Sequence, residues 1–429
     1  MKKLVCFLLT AILILGLVAC GDNAGQTQSE NTAFQIGFGR VDITPEVGTQ
    51  LAAGGTGLTD RICVGIMDEL YAHAVVLKDP AGTMMALVTT DRSWGDQQEM
   101  GYLRPLVEER FGIPQKNLLM GGIHNHNAPD YGHGSKLNQA WTDNYHEAVL
   151  EAISIAIADL APASVEIGTT QTEGLTYVRR YICEDGTLTG EFDTYTVNSP
   201  IKEPESIADG QMQLVRIKRE GKKDLIMVNW QSHANKHGAS QLYASADYVG
   251  PLREKIEKAF GADCIFYQGA CGNLNTYSRM GGDKVHGSGW DTCVKFGELA
   301  ADYAIAALKA EGTMQPIKLG NIKHVQEKYI TTGGWAETNV VAAGELSFVT
   351  LPAEFFDTFG MTIKEETPFA MTVLMGYHCA SVATSGKYLA TELGFKNGGY
   401  EARNTYFKMG DGEKITQYYV DTLNSLYEP

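Results

Sequence analysis

Apolar positions along this chain fall into short blocks, each closed by a turn residue, and the spacing within a block predicts its structure. Phe34 to Ile43 alternates and is rich in β-formers, so it predicts a first strand ended by Thr44-Pro45. A glycine-rich loop, Ala52 to Gly57, follows. Leu70 to Leu77 and Met84 to Thr90 predict two strands about the turn Asp79-Pro80-Ala81-Gly82. Gln97 to Phe111 has a helical pattern stopped by Gly112 and Pro114; Pro105 inside it either kinks the helix or marks its start. Leu118-Leu119-Met120 predicts a buried strand. Thr142 to Leu160 carries an apolar stripe, Tyr145, Val149, Ile153, Ile157 and Leu160, that predicts a core-packed helix. Val165 to Thr169, Met212 to Lys218, Asp224 to Gln231, Cys264 to Tyr267, Leu346 to Leu351 and Thr372 to Tyr377 read as further strands. Val178 to Tyr181 leads into a Glu184-Asp185-Gly186 turn. Helices are expected over Tyr248 to Phe260, Lys295 to Glu311, from Ala353, and over Lys414 to Leu426. Strands alternating with crossing helices predict an α/β fold, mixed β-sheets layered with helices, as one large domain over residues 34–429.

The first residues have a different pattern. Lys2 and Lys3 precede an almost uninterrupted apolar run, Leu4 to Val18, that reads as a secretory signal. It ends in Leu17-Val18-Ala19-Cys20, which resembles a bacterial lipobox and implies cleavage before Cys20 and a lipid on its sulfur. Residues 21–33 are rich in Gly, Gln, Ser and Asn and predict a flexible tether. No second run approaches the ~20 apolar residues of a membrane span. The expectation is an extracytoplasmic lipoprotein of the bacterial cell envelope, held to the membrane by its N-terminal lipid. The formal net charge is −16 and no Lys/Arg cluster offsets it, which argues against nucleic acid as a partner. Of eight cysteines, Cys6 would leave with the signal and Cys20 would be lipidated. Cys63, Cys183, Cys264, Cys271, Cys293 and Cys379 could pair outside the cytoplasm, but none has the CxxC spacing of a cysteine zinc site.

Candidate chemistry centres on Gly121-Gly122-Ile123-His124-Asn125-His126-Asn127-Ala128-Pro129-Asp130. On an extended backbone, His-x-His puts both rings on one side, and two same-side imidazoles are half of a zinc site. A second apolar strand ends in an imidazole at Val228-Asn229-Trp230-Gln231-Ser232-His233. Phe266 to Asn275 runs a strand into a small-residue loop. Leu351-Pro352-Ala353-Glu354 places a carboxylate after a strand, at the expected start of a helix. Gly386-Lys387-Tyr388-Leu389-Ala390-Thr391 and Gly398-Gly399-Tyr400-Glu401 are tyrosine-bearing loops near the end.

With Gly39-Arg40-Val41-Asp42-Ile43-Thr44-Pro45 and Asp68-Glu69-Leu70-Tyr71-Ala72, these pieces resemble, in order, the catalytic domain of the neutral ceramidase family. The resemblance implies one Zn2+ held by His124, His233, Glu354 and Tyr388. It makes His126 a histidine beside the metal, suited to hydrogen bonding or proton transfer, and Arg179 or Arg180 a substrate contact. Two features depart from the family. Asn275 stands where ceramidases carry a serine proposed as nucleophile, and no counterpart of their C-terminal immunoglobulin-like domain follows.

The reading is a zinc hydrolase of an N-acyl, ceramide-like amide bond, acting on a small-molecule or lipid substrate with metal-activated water as nucleophile. His126 serves as general acid/base and Asn275 as an oxyanion donor. Two rivals stand beside it: a surface-anchored binding protein that kept the fold without catalysis, and a zinc hydrolase of another ester or glycoside-type bond.

Overall fold

The computed structural model describes residues 33–52, 61–95, 97–129, 138–193, 199–381, 384 and 387–428. The expected signal sequence, Cys20, nearly all of the expected tether and most of the Ala52 to Gly57 loop lie outside them, as do Asp130 and Gly386. The main sheet runs in the order Asp263–Gln268, Leu225–Trp230, Gln211–Arg219, Ala161–Gln171, Gln35–Asp42, Tyr71–Lys78, Met84–Thr90 and Leu118–Gly122. A ninth strand, Gln315–Ile317, pairs with Ala161–Gln171. The inner pairs are antiparallel, while the outermost pair at each of the two ends is parallel. A second sheet, Ile322–Thr331, Gly334–Ala343, Leu346–Leu351 and Met371–Gly376, also finishes in a parallel pair.

Parallel strands need a crossover, and each of the three pairs has a helical one. Gln97–Phe111 joins Met84–Thr90 to Leu118–Gly122; Val249–Phe260 joins Leu225–Trp230 to Asp263–Gln268; Asp357–Glu366 joins Leu346–Leu351 to Met371–Gly376. Leu225–Trp230, Leu346–Leu351 and Met371–Gly376 are buried at every position. That explains their unbroken apolar runs, since a strand covered on both faces has no polar side to alternate with. In such folds ligands bind beyond the carboxyl ends of the parallel strands. Here those ends carry His124, His233, Cys271, Glu354 and Tyr377.

Close packing sets these distances. Helix Gln139–Ala158 lies on the Gln35–Asp42 strand, where a Cβ on Gly37 would sit 1.8 Å from the Ala156 carbonyl oxygen. A buried amide helps stitch the two sheets together. Asn229 Nδ2 donates to the carbonyls of Tyr267 (2.9 Å) and Leu374 (2.8 Å), and the Leu374 N–H donates back to Asn229 Oδ1 at 2.9 Å. The side chain thus caps the open edge of Met371–Gly376, where another strand would otherwise pair.

Chain segment Ala33–Pro429 forms one unit by internal contacts. The fold is α/β with layered mixed sheets, as the pattern predicts, but several elements differ. Pro105 sits inside an uninterrupted Gln97–Phe111 helix. The expected helix from Ala353 begins only at Asp357, because Glu354–Phe355 is a short strand parallel to Tyr388–Leu389. The hairpin Ile322–Thr331 and Gly334–Ala343 went unread, since its first strand is only partly covered and mixes charged with apolar residues. The six cysteines of the folded region are all buried and unbonded to one another. Among the described residues, no helix is long and apolar enough to cross a membrane.

Candidate metal centre

The strand Leu118–Gly122 stops two residues before His124, which turns into the left-handed region at φ 62. The His-x-His stretch is therefore a turn rather than the extended backbone its spacing suggests. A left-handed non-glycine residue costs of order 1–3 kcal/mol and persists only where its surroundings hold it. They do so here. The His124 N–H donates to the Arg92 carbonyl, Ser93 Oγ donates to the Asn125 carbonyl, and Asn125 Nδ2 donates to the carbonyls of Asp91 and Ser245.

The turn brings His124 and His126 to 5.1 Å between ring centroids and His124 to 4.7 Å from His233. His126 Nε2 lies 3.1 Å from His233 Nε2, and His233 Nδ1 lies 3.4 Å from the Cys271 carbonyl, a contact that orients the ring. His124 stacks on Tyr377 at 3.9 Å with 2° between planes, and Trp94 meets it edge-on at 4.6 Å. The Tyr377 hydroxyl in turn is 3.0 Å from Cys271 Sγ. Glu354 Oε2 comes within 3.5 Å of His124 Nε2. Burial, then the neighbouring His124 and Arg179, hold His126 and His233 well below the usual histidine range, so both are neutral and free to ligate.

The donors fit a metal ion. His124, His126 and His233 offer ligand atoms within 4.8 Å of one another. Tetrahedral zinc with nitrogens at about 2.0–2.1 Å would space its ligands by about 3.3 Å, close to the His126–His233 separation. Both ring nitrogens of His124 and Glu354 Oε2 are buried and have no hydrogen-bond partner among the described residues. Leaving a buried polar group unpaired costs about 1–3 kcal/mol. His124 Nε2 and Glu354 Oε2, 3.5 Å apart, are two such groups side by side, an arrangement compatible with a bound cation.

The structure thus brings together His124, His126, His233 and Glu354. His126 enters the donor group itself, one histidine more than the resemblance implies. Tyr388 stands in register beside Glu354; burial and then Glu354 push its phenol well above the usual range. The Arg179–Arg180 ambiguity separates cleanly. Arg180 points away, into Glu205, Glu401 and the carbonyls of Gly394 and Gly398. Arg179 faces the site, its guanidinium 5.4 Å from the Tyr388 ring and one nitrogen, Nη2, unpartnered and buried. Burial opposes its charge, but Tyr388, Glu401, Glu354 and Glu191 outweigh that and hold its pKa well above the usual value. Asn275 is fully buried, with its side-chain N–H donated to Glu191. Trp94, Tyr377 and Glu191 escaped the sequence reading. Each follows or flanks a strand end, yet nothing in its local pattern distinguishes it from core.

Fold and site together define an α/β protein with a buried histidine–carboxylate centre able to hold a metal ion. The family profile described as neutral/alkaline non-lysosomal ceramidase, N-terminal, matches residues 34–270. The chain belongs to that family. The fold is similar to the neutral ceramidase of Pseudomonas aeruginosa at 16 % identity and TM-score 0.74, covering 92 % of this chain and 75 % of that one. A ceramidase structure complexed with C2 matches over the same shares at 15 % identity and TM-score 0.74. No curated protein matches the chain in sequence.

Proposed function

We propose that this protein is a zinc-dependent hydrolase of N-acyl amide bonds of the ceramide type, exported and carried on a lipid at Cys20. Family membership supports the hydrolase class, and the orphaned nitrogens of His124 beside the orphaned Glu354 oxygen carry the metal assignment. His124, His233 and Glu354 would hold the ion, with Tyr388 and His126 as the remaining donors in reach. A zinc ion there would polarise an acyl carbonyl and acidify water, chemistry that needs no serine.

The chain's own residues do the rest. Arg179, fixed through Nε to Glu401 Oε1 at 2.9 Å, keeps Nη2 for a substrate oxygen. Neutral His126, hydrogen-bonded to His233 through Nε2, stands beside the ion as general acid/base: it would take the proton given up by the attacking water and pass it to the nitrogen of the leaving amine. Trp94 and Tyr377 wall His124 and exclude water from it.

A specific feature favours a second reading, binding without turnover: position 275 holds an amide where the family carries a serine. Purified protein incubated with N-acyl amides of graded chain length decides between the two. Release of fatty acid, abolished by chelator and restored by zinc, is expected. Tight lipid binding with no product under any metal would support the second reading and end the first.

A further inference from the structure

The family resemblance leaves Glu191 without a part, and the structure gives it one. Strand Arg180–Cys183 pairs antiparallel with Leu188–Gly190, Arg180 opposite Gly190, so Glu191 emerges opposite Arg179. On the other flank of the same stretch, Val178 pairs with Leu274 and Tyr177 with Asn275, and the Arg179 N–H donates to the Asn273 carbonyl. Glu191 and Asn275 thus reach each other from opposite sides of the Arg179 segment. Asn275 Nδ2 donates to Glu191 Oε2, and the Tyr277 hydroxyl donates to Oε1. Asn275 Oδ1 accepts the Thr276 N–H at 2.9 Å.

This arrangement fixes the amide at both ends. Its oxygen is occupied by backbone and one N–H by a carboxylate, which leaves a single N–H with no partner among the described residues. The Arg179 and Arg279 charges act on the Glu191 carboxylate through space, while its hydrogen bonds go to Asn275 and Tyr277. Charge-assisted bonds of this kind are roughly twice as strong as neutral ones.

We propose that Glu191 is a positioning residue: it locks the Asn275 carboxamide so that its second N–H is presented to the substrate carbonyl. The inference rests on the amidase reading. It explains how an amide can serve at this position, as a preorganised donor.

The test is a double-mutant cycle on the zinc-loaded enzyme, with zinc content checked in each variant. Asn275→Ala is expected to lower kcat about 10²–10³-fold, the usual loss for one such donor. Glu191→Ala is expected to lower kcat about 10–100-fold with KM little changed. The double variant should be no slower than Asn275→Ala, because Glu191 acts through that side chain. Glu191→Gln should stay near wild type: its carbonyl accepts from Asn275, and the Tyr277 hydroxyl turns to accept from its amide. Glu191→Met, close in volume, carries the same comparison if the alanine variant does not fold. Multiplying losses in the double variant, wild-type kcat in Glu191→Ala, or Glu191→Gln as slow as Glu191→Ala would each overturn the inference alone. A zinc-loaded wild type inert toward every N-acyl amide would overturn the amidase reading and this inference with it.

Discussion

Replacing Asn229 by Leu should loosen the join between the two sheets without emptying the space the side chain fills. Asn229 supplies both partners of Leu374, its carbonyl at 2.8 Å and its N–H at 2.9 Å. Leu keeps the branch of Asn at Cγ, is bulkier, and neither donates nor accepts. Two backbone groups at the edge of Met371–Gly376 would then be buried and unpaired, at about 1–3 kcal/mol each, so the expected destabilisation is about 2–6 kcal/mol. Against a typical total of about 5–15 kcal/mol, that is a large fraction. Met371–Gly376 leads directly to Tyr377, on which His124 stacks, and pairs with the strand before Glu354. Zinc affinity should therefore fall together with stability. Urea unfolding of the zinc-free protein measures the first as a lower midpoint at unchanged slope, and competition with a chromogenic chelator measures the second. A loss under about 1 kcal/mol with wild-type zinc affinity would refute the claim that this amide joins the two halves of the site.

His124→Ala should remove both zinc and activity while the fold survives; wild-type zinc content by elemental analysis would refute its role as a ligand. Arg180→Met should destabilise the protein by about 3–5 kcal/mol by leaving buried Glu205 without its arginine and Glu401 with Arg179 alone. A variant that unfolds at the wild-type denaturant midpoint would show that Arg180 is not structural. The zinc-free protein should lose stability as pH falls below 6.5. Burial holds His73, His126 and His233 well below that value and His378 at about 4, so the unfolded chain takes up protons that the folded one refuses. Each such histidine contributes a slope of about 1.4 kcal/mol per pH unit. Asp68 and Asp357, raised to about 7 and about 6 chiefly by burial, work in the opposite direction but are fewer. A melting temperature flat from pH 7 to 5 would contradict this balance.

The sequence reading located the strands that end at His124 and His233 because they are short apolar runs closed by polar residues, a pattern that burial on both faces imposes. It also named Glu354 and Tyr388, but through resemblance rather than pattern. Locally, Glu354 looks like the first-turn acid of a helix, and only the pairing of Glu354–Phe355 with Tyr388–Leu389 takes it out of one. The left-handed turn at His124 was not legible, since that backbone is held by Arg92, Ser93 and Asn125 contacts that arise only after folding. The same holds for Arg179 and Arg180. They are adjacent and identical in kind, both reach Glu401, and what separates them is the folded surroundings: Glu205 and two carbonyls take up the rest of Arg180, while Arg179 Nη2 has no partner among the described residues. Glu191 and Asn275 are 84 positions apart and meet only across a third strand.

X-ray absorption at the zinc edge of the loaded protein tests the central claim most directly. The account predicts one zinc per chain, ringed by imidazole nitrogens and carboxylate or phenolate oxygen at about 2.0–2.2 Å with no sulfur. A shell containing sulfur at about 2.3 Å, or a protein that retains no zinc after dialysis, would contradict it.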